Sequence, residues 1–392
     1  MKILFVAPWF PYPPVNGTKI RLYNLLRHLG RTHMITLLSF VRAGEIVDIQ
    51  GLQGICHQVE TVRCREFSPN RLKALAGFFS PKPRSIIDTY QPKIADRVAK
   101  SIDSFQPDLA IFSEWATAIY APQNTTIPLL FEDLEVSILH DAWKSTPNPL
   151  LRFRRWMTWV KAFNFYRELA NRFSAITAVS VAERSHVLGI APSRPPVHVL
   201  PNGVDLELNR PGIAEPTWNK LIFSGAMTYS ANYDAAQYFL AEIFPHVLSR
   251  IPDAHLSITG SLQDVNLEGL VLNDHVQLCG YVPDIRQKVA SSWASIVPLR
   301  IGGGTRLKIL ESMALGTPVV STPKGAEGLD VKHEENILIA DAPEQFAAET
   351  VRVLRDPELR ERLSQNGRKL VEEKYDWEIV GQKLEQICQS LL

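Results

Sequence analysis

The sequence of 392 residues predicts an α/β protein made of two doubly wound domains, each with a parallel sheet. Short β-branched runs alternate with helical patterns along the whole chain, which is the order expected when helices cover both faces of such a sheet. A turn-rich segment at residues 201–205 interrupts this alternation, which then begins again. Because a single hydrophobic core stops growing beyond roughly 250 to 300 residues, a chain of this length is expected to form two domains.

The predicted strands are short apolar runs, and the segments between them show the apolar period of about 3.6 residues that is typical of helices. In the first half, strands are predicted at residues 3–7, 34–40, 109–113, 128–131, 175–180 and 197–200. In the second half they are predicted at residues 221–224, 255–260, 276–279, 295–298, 318–321 and 336–339. We therefore expect domains at 1–203 and 204–374, and a C-terminal helix at 375–392 that packs back across the hinge.

The composition indicates a globular protein without a membrane span. Hydrophobic residues make up 45% of the chain and charged residues 21%. No stretch offers the roughly 18 uninterrupted apolar residues that a spanning helix needs. The apolar start at 3–7 runs into prolines and lacks a cleavage site, so it favours a buried strand over a signal peptide and predicts a cytoplasmic protein. The four cysteines lack CxxC spacing, which argues against a zinc site or a disulfide framework.

Charge is distributed unevenly along the chain. Residues 1–200 contain 24 Lys and Arg against 15 Asp and Glu, whereas residues 201–392 contain 18 against 26. A basic half of this kind favours an anionic partner, which can be a lipid surface, a phosphorylated acceptor or a nucleic acid.

A run of glycines in the second half predicts a phosphate site. The predicted strand at 295–298 leads to Gly302, Gly303 and Gly304, followed by Thr305 and a helical pattern that runs to about residue 315. Glycines let the backbone approach a phosphate closely, and the start of a helix carries a positive potential. Breaking a sugar–phosphate bond leaves a diphosphate whose charge must be stabilised by a metal ion or by fixed donors. The sequence supplies fixed donors, so we expect a metal-independent site and no cofactor.

Two charged side chains of the same helix complete the predicted site. Glu311 lies six residues beyond Thr305, about 9 Å along a helix, which is comparable to the span from a diphosphate to the ribose diol. Lys308 lies on nearly the same face and is the first choice for the phosphate; Arg306 is the second and is expected to project to the other side. The alternative is a plain glycine loop with a surface pair between Lys308 and Glu311.

Dispersed motifs over nearly the whole chain resemble the family 4 retaining glycosyltransferases of GT-B fold. The matching segments are PPVNGT at 13–18, AVS at 178–180, PNGVD at 201–205, FSG at 223–225, GYV at 280–282 and LESMALGTPVV at 310–320. The resemblance implies two Rossmann-like domains that face a cleft. The second domain is expected to hold a UDP- or GDP-sugar and the first to hold a glycan or lipid-linked acceptor. The resemblance also implies transfer with retention of anomeric configuration.

Two departures from the family pattern affect the predicted site. The family commonly carries two glutamates eight positions apart; Glu311 matches the second, but Gly303 occupies the first, so a contact to the donor sugar must come from elsewhere. The family also often places Arg and Lys after the first strand of the second domain, where residues 226–232 contain no basic residue. This absence strengthens the assignment of the phosphate charge to Lys308 and Arg306.

Residues 16–18 of the first half follow the first predicted strand and open a helix. The backbone of Gly17 is therefore expected to face the diphosphate, with Arg21 one turn further along the helix. A simple turn with a helix N-cap is the alternative interpretation of the same residues.

Asp133 and Glu135 follow the predicted strand at 128–131, at the edge where doubly wound sheets bind ligands. We predict that Asp133 contacts the sugar or the acceptor, with Glu135 behind it. The resemblance also implies that the leaving phosphate can itself act as the base, so Asp133 need not accept a proton. The alternative for Asp133 is a helix cap.

Further donor contacts are predicted where other strands of the second half end. Gly225 ends the first of these strands, and the main chain of Tyr281 and Val282 is expected to pass the base. Glu327 follows a later strand and is expected to reach the donor, with a solvated loop carboxylate as the alternative.

Two aromatic and basic segments are candidates for contact with an anionic membrane. In residues 152–167, Trp156, Trp159 and Phe163 fall on one face at core spacing, so burial of that face is favoured over lipid contact. The better surface candidate is the segment at residues 71–84, in which leucines and phenylalanines accompany Arg and Lys.

Two other functions fit parts of the sequence. A sugar-nucleotide epimerase of the same architecture would need acid and base carboxylates and a histidine that converge in the cleft. A nucleic-acid-binding protein would use the basic half, but its aromatic and basic residues form no recognised module, so no nucleic-acid partner is expected.

Overall fold

The computed structural model describes residues 1–45, 47–190, 195–302 and 306–392. These residues form two compact units. Unit 1 consists of Met1–Pro201 together with Val380–Leu392, and unit 2 consists of Asn202–Ile379.

Unit 1 contains a seven-stranded sheet with the order β3-β2-β1-β4-β5-β6-β7. Every pair of neighbouring strands is parallel. The strands are β1 (Lys2–Ala7), β2 (Met34–Val41), β3 (Gln58–Arg63), β4 (Leu109–Ser113), β5 (Leu129–Glu132), β6 (Ala175–Ala178) and β7 (Val197–Val199). The central strands β1 and β4 are buried on both faces, as a parallel sheet covered by helices requires.

The helices of unit 1 connect these strands. They are α1 (Gly17–Leu29), α2 (Leu72–Ala76), α3 (Arg84–Thr89), α4 (Pro92–Phe105), α5 (Glu114–Ala118), α6 (Ser137–Lys144), α7 (Pro149–Ala170) and α8 (Val181–Ile190). Short 3-10 turns occur at Ile49–Leu52 and Gly77–Phe79. No helix of the described ranges combines the length and the apolarity needed to cross a membrane.

Unit 2 contains a six-stranded parallel sheet with the order β10-β9-β8-β11-β12-β13. Its strands are β8 (Thr217–Ser224), β9 (His255–Thr259), β10 (Val276–Gly280), β11 (Ser292–Val297), β12 (Val319–Ser321) and β13 (Leu338–Ile339). Its helices are α9 (Ser230–Tyr238), α10 (Phe244–Leu248), α11 (Arg286–Ala290), α12 (Leu307–Ala314), α13 (Pro343–Arg355) and α14 (Pro357–Lys374), with a π-helical turn at Phe239–Ile243.

The last helix, α15 (Trp377–Gln389), begins in unit 2 and ends in unit 1. Within unit 1 it packs against α1, where Gly381 lies so close to the ring of His28 that a Cβ would come within 2.2 Å of it. The carboxylate of Glu385 lies 3.5 Å from Nε2 of His28 and 3.3 Å from Nε2 of His33.

The predicted fold class is confirmed, since both sheets are parallel and helix-covered. The prediction missed β3, whose sequence QVETVR alternates polar and apolar residues at the edge of its sheet. It was also wrong for Trp156 of α7, which is 41% exposed, whereas Trp159 and Phe163 pack against the core as partly buried side chains. The apolar core is instead completed by the second half of α7, including Phe165, Tyr166 and Leu169.

Candidate active site

Three neighbouring strands of unit 2 end in glycines. Gly225, Gly260 and Gly280 lie at the carboxyl ends of β8, β9 and β10 and have φ values of 150°, 120° and 66°, a region that favours glycine. A Cβ on Gly260 would lie 2.2 Å from the carbonyl oxygen of Gly225, so these backbone segments are in close contact. The glycine edge, as we call these three residues, presents main-chain groups instead of side chains to a ligand.

Lys308 lies directly against the glycine edge. It occupies the first turn of α12, and its Nζ donates a hydrogen bond of 2.9 Å to Oδ1 of Asn232. The same ammonium lies 4.6 Å from the ring centroid of Phe223. A Cβ on Gly225 would come within 2.8 Å of Nζ of Lys308 and within 2.6 Å of Nδ2 of Asn232. A side chain at position 225 would therefore displace this lysine.

The charge of Lys308 depends on its surroundings. Burial lowers the pKa of Lys308 to about 7, the Arg306 guanidinium lowers it as well, and Glu311 acts in the opposite direction. The ammonium is thus only partly protonated near neutral pH. An anion bound beside it would stabilise the charged form and raise this pKa.

Glu311 lies one turn beyond Lys308 on α12, and burial raises the pKa of its carboxyl group while Lys308 opposes this effect. The side chain of Lys308 binds Asn232 instead of reaching Glu311. The surface pair considered from the sequence is therefore not the arrangement that the structure has. Glu311 lies close enough to the Lys308 ammonium for its pKa to respond to that charge, and the predicted ribose contact stays a prediction.

The structure corrects the predicted position of Arg306. α12 begins at Leu307, so Arg306 precedes the helix and does not project from its far side. Its side chain is buried, and its Nη2 donates a hydrogen bond of 2.8 Å to the carbonyl oxygen of Gly302. Arg306 therefore lies near Lys308, close enough to lower its pKa. The predicted phosphate contacts of Gly303, Gly304 and Thr305 lie outside the described residues.

The remaining predicted donor contacts of unit 2 lie at the ends of β10 and β12. Tyr281 directly follows Gly280 and is 73% exposed, and Val282 comes next. Glu327 forms an ion pair with Lys324, Oε2 to Nζ at 2.5 Å, and its side chain is about half exposed. This geometry is that of the solvated loop carboxylate given as the alternative for Glu327.

Unit 1 places a buried ion pair at the carboxyl end of its sheet. Arg21 of α1 contacts Glu132, the last residue of β5, with Nη2 2.5 Å from Oε1, and both side chains are almost fully buried. The other carboxylate oxygen of Glu132 accepts a hydrogen bond of 2.5 Å from the hydroxyl of Ser113. The guanidinium also donates to the carbonyl oxygens of Leu200 and Pro201. Glu132 and the two carbonyl groups thus fix Arg21 within unit 1.

Asp133 follows Glu132 in a strained conformation. Its φ is 61°, and its amide donates a hydrogen bond of 2.9 Å to Oγ1 of Thr177. Oδ2 lies 3.6 Å from Nε of Arg21, whereas Oδ1 is buried without a hydrogen-bond partner in the described part of the chain. Burial raises the pKa of Asp133 to about 6, although Arg21 opposes the shift. A buried acceptor that lacks a partner at a strand end is available to a bound hydroxyl group.

Glu114 adds a second carboxyl group to this edge. It follows β4, the strand next to β5, and also has a positive φ of 59°. Burial raises the pKa of Glu114 to about 8, Asp133 and Glu132 raise it further, and a hydrogen bond from Thr18 lowers it. Glu114 is therefore mainly protonated at neutral pH. Backbone strain of about 1 to 3 kcal/mol per residue persists where surrounding structure holds it, often at functional sites.

The alternative given for residues 16–18, a turn with a helix N-cap, is present in the structure, whereas the alternative given for Asp133, a helix cap, is not. Asn16 is a helix N-cap, since its Oδ1 accepts a hydrogen bond of 3.0 Å from the amide of Lys19, and Gly17 begins the exposed first turn of α1. Asp133 caps no helix: the start of α6 is capped by Glu183, whose Oε1 accepts from the amides of Val136 and Ser137.

The sequence interpretation missed Glu114, Glu132 and Asn232 as parts of these sites. Glu114 and Glu132 lie at the ends of predicted strands, so the rule that selected Asp133 would also have selected them. Asn232 had no such signal, because its role depends on a contact with Lys308, which is 76 residues away in the sequence.

Two family models match the chain. Residues 15–208 match the model described as Glycosyltransferase Family 4, and residues 219–356 match the model described as Glycosyl transferases group 1. Among curated proteins, a GDP-mannose-dependent monoacylated alpha-(1-6)-phosphatidylinositol monomannoside mannosyltransferase from Corynebacterium glutamicum is 26% identical over 244 residues, or 57% of this chain and 64% of the relative. The chain matches only part of its curated relatives: the match covers about 43% to 64% of the length of each of three such proteins, including this mannosyltransferase.

Solved structures share the fold over the whole chain. A sucrose-phosphate synthase from Thermosynechococcus elongatus superposes with a TM-score of 0.73 at 16% identity, covering 100% of this chain and 99% of the other. The Anabaena protein Alr3699/HepE in complex with UDP superposes with a TM-score of 0.68 at 17% identity, covering 100% of both chains. At this level of identity the similarity shows the fold alone.

Proposed function

The chain belongs to the group 1 glycosyltransferases of family 4, and from this premise we propose that it moves a sugar from a UDP- or GDP-sugar to a glycan or lipid-linked acceptor, without a metal ion and with retention of configuration. Glycosyltransferase activity follows from the family. The donor, the acceptor, the absence of a metal and the stereochemistry are the proposal.

One observation carries the donor part of the proposal, namely the position of the Lys308 ammonium against the glycine edge. Gly225 leaves room for this cation beside a backbone that a ligand can approach closely. Burial lowers the pKa of Lys308 to about 7, so the protonated lysine is disfavoured in the protein alone and is stabilised when an anion binds beside it. A diphosphate suits this arrangement, since its negative charge favours the protonated form of Lys308. The protonated lysine then balances the charge of the diphosphate, and no metal cation is needed.

In this proposal Lys308 and Arg306 stabilise the charge that develops on the leaving nucleoside diphosphate. Glu311 lies one turn further along α12 and accepts hydrogen bonds from the ribose hydroxyls. Gly225 allows the close approach of the phosphates, and the main chain of Tyr281 and Val282 follows the edge of the base. The C. glutamicum relative uses GDP-mannose and the Anabaena protein binds UDP, so both bases are retained as candidates.

The acceptor is assigned to unit 1, where Asp133 has an unpartnered, buried carboxylate oxygen. A hydroxyl group of the acceptor or of the transferred sugar would satisfy it. An epimerase is the weaker candidate, since both matched family models describe glycosyltransferases.

Nucleotide screening tests the donor assignment. We expect the melting temperature of the protein to rise with UDP- or GDP-linked sugars in the presence of EDTA, because a ligand that binds only the folded state stabilises it by mass action. Inorganic phosphate at the same ionic strength serves as a control. Stabilisation that requires a divalent cation would contradict the metal-independent site, and stabilisation by neither nucleotide would contradict the donor assignment.

Turnover tests the reaction type. Incubation of the stabilising sugar nucleotide without acceptor should yield at most slow hydrolysis, whereas accumulation of an epimerised sugar nucleotide would favour an epimerase. With acceptor, the anomeric proton of the product, measured by NMR, should show the configuration of the donor. Inversion of that configuration would contradict a retaining mechanism.

A further inference from the structure

An exposed apolar surface lies between β3 and α4 of unit 1. It is formed by residues 71–84, which we call the apolar hairpin, and consists of α2, the turn Gly77–Phe79 and the start of α3. Leu72 is 85% exposed and Phe79 is 95% exposed, and Leu75 and Phe78 are each more than 40% exposed. Four large apolar side chains within eight residues are an unusual concentration for a surface that faces only water.

The charge of the apolar hairpin is positive. Arg71, Lys73, Lys82 and Arg84 are its charged residues, and the nearest acidic residue, Asp88, is fully buried. Asp88 uses Oδ2 to accept hydrogen bonds from the amide of Ser68 at 2.9 Å and from Arg71 at 2.8 Å. The carboxylate of Asp88 therefore does not contribute charge to the surface. The exposed side chains of the apolar hairpin are apolar residues and lysines.

Helix α7 extends this surface. Lys161 donates hydrogen bonds to the carbonyl oxygens of Gly77 and Phe78, at 3.3 and 2.8 Å, and so joins the helix to the apolar hairpin. Trp156, which is 41% exposed, lies five residues earlier, or about 7.5 Å along the helix axis. Residues 149–161 contain four basic residues and no acidic one. The two segments together have the composition of a surface that binds anionic lipid.

The wall of a cavity of about 390 Å³ includes residues that flank the apolar hairpin in the sequence. Phe67 lines it shortly before the hairpin and Thr89 lines it shortly after. The wall also includes Trp9, Trp115 and Glu114. This volume lies within the range of sites that hold small molecules, and aromatic walls with a few polar groups are typical of them.

The hairpin and the cavity are close enough to act on one ligand. Leu72 in the hairpin comes five positions after Phe67 in the cavity wall, so at most about 17 Å of extended chain can lie between them. A molecule anchored in a membrane beneath the hairpin therefore needs to extend only this far to place its polar end in the cavity.

From these observations we infer that the acceptor is the polar head of a membrane lipid: the apolar hairpin and the first half of α7 dock on an anionic bilayer, and the cavity beside Trp115 and Glu114 receives the head group. This inference rests on the proposed transfer reaction, since it names the acceptor class of the same enzyme. The side chains of Leu72 and Phe79 enter the lipid interface, and Lys73 and Lys82 contact anionic head groups.

Membrane docking is tested by sedimentation of the full chain with vesicles. We expect binding to vesicles of phosphatidylcholine with phosphatidylglycerol and little binding to phosphatidylcholine alone. The double variant Leu72→Ser/Phe79→Ser should bind at least tenfold more weakly, because two exposed side chains that enter the lipid are removed. Lys73→Glu/Lys82→Glu should lose about fivefold or more for each lysine.

A matched control is available in unit 2. Val271→Ser/Leu272→Ser removes two apolar side chains that are 56% and 44% exposed, and it should leave vesicle binding unchanged. All variants should keep the melting temperature and the nucleotide-induced stabilisation of the unaltered protein. Equal binding to both vesicle types, or full binding by Leu72→Ser/Phe79→Ser, would overturn the docking surface.

The lipid acceptor is tested with vesicles made from membrane lipids of the producing cell and a donor labelled in its sugar. We expect the label to enter the fraction extracted by organic solvent. In the variant Trp115→Ala this transfer should fall at least tenfold while vesicle binding stays intact. Label that enters only water-soluble products would overturn the inference and leave the glycosyltransferase intact. Absence of nucleotide binding would instead refute the proposed donor site, whatever the vesicles show.

Discussion

The two units have opposite kinds of residue at the carboxyl ends of their parallel strands. In unit 2, three adjacent strands end in the glycine edge, and a lysine with a lowered pKa lies against it. In unit 1, two adjacent strands are followed directly by Glu114 and Asp133, which also adopt positive φ but carry carboxyl groups with raised pKa values. Positive φ is thus adopted by residues without a side chain in unit 2 and by residues with an acidic side chain in unit 1.

This difference indicates two kinds of ligand. Positive φ costs little for glycine but about 1 to 3 kcal/mol for most other residues, so unit 1 accepts strain to keep its carboxyl groups in place. A cationic site that exposes main-chain groups is suited to phosphates. Unit 1 offers carboxyl groups of both kinds to the hydroxyl groups of sugars: Asp133, with a pKa of about 6, mainly accepts hydrogen bonds near neutral pH, whereas the protonated Glu114 can also donate one.

The largest expected effect comes from removing the cation of unit 2. Lys308→Ala should weaken nucleotide affinity and reduce turnover by about 100-fold each, since charge-assisted hydrogen bonds in a preorganised site contribute roughly 2.7 to 4 kcal/mol. Nucleotide affinity is measured by calorimetry and turnover by release of the nucleoside diphosphate. Lys332→Ala removes an exposed lysine of the same unit and should change neither quantity. Unchanged affinity in Lys308→Ala would remove the basis of the donor site.

A different pattern is expected for unit 1. Asp133→Asn keeps the shape of the side chain and a residue type that tolerates positive φ, but removes the negative charge. Turnover should fall by about 100-fold while nucleotide affinity changes less than twofold, because Asp133 is assigned to the sugar or the acceptor. Glu135→Gln is the matched variant and should reduce turnover much less. A larger loss of turnover in Glu135→Gln than in Asp133→Asn would mean that Glu135, and not Asp133, contacts the sugar or the acceptor.

A smaller effect should come from the glycine edge itself. Gly225→Ala introduces a Cβ within 2.8 Å of the Lys308 ammonium, so we expect nucleotide affinity to fall about tenfold through displacement of the lysine. Gly280→Ala also places alanine at a positive φ, 66°, but its Cβ meets no atom within 4 Å. Comparison of the two separates collision from backbone strain. An equal loss of affinity in both would show that the collision with Lys308 is not needed for the effect.

The sequence predicted the features of these sites that depend on strand ends and local motifs. Buried strands were found because they are short, apolar and β-branched, and Asp133, Gly225 and Lys308 follow from their positions relative to strands and helices. β3 was missed because an edge strand is half exposed and alternates polar with apolar residues. Trp156 was assigned to the core because a helical stripe shows only which residues share a face.

Contacts between distant segments were beyond the sequence argument. The hydrogen bond from Lys308 to Asn232 and the ion pair of Arg21 with Glu132 join residues 76 and 111 positions apart. The start of α12 at Leu307 also differs from the predicted helix start near the glycine run. Arg306 therefore approaches Lys308, although the spacing in a regular helix predicted that they would diverge. Helix boundaries of this kind depend on caps and tertiary contacts.

The smallest expected effect concerns the stability cost of Glu114. Its pKa is about 8 in the folded protein, against an ordinary value of 4.5. Between these values the unfolded chain releases a proton that the folded protein keeps, so the free energy of unfolding falls as pH rises from about 4.5 to 8. Glu114→Gln removes this titration and can still accept the hydrogen bond from Thr18.

The variant should therefore gain stability over the unaltered protein as pH rises. We expect equal melting temperatures near pH 4.5 and an advantage of a few degrees for Glu114→Gln at pH 8, since about 1 kcal/mol shifts the melting temperature of a 150- to 250-residue domain by roughly 2 to 4 °C. Calorimetry across this pH range measures the difference. An advantage that is the same at every pH would show that the titration of Glu114 does not cause the difference in stability, and a growing disadvantage would mean that its carboxylate is stabilised in the folded state.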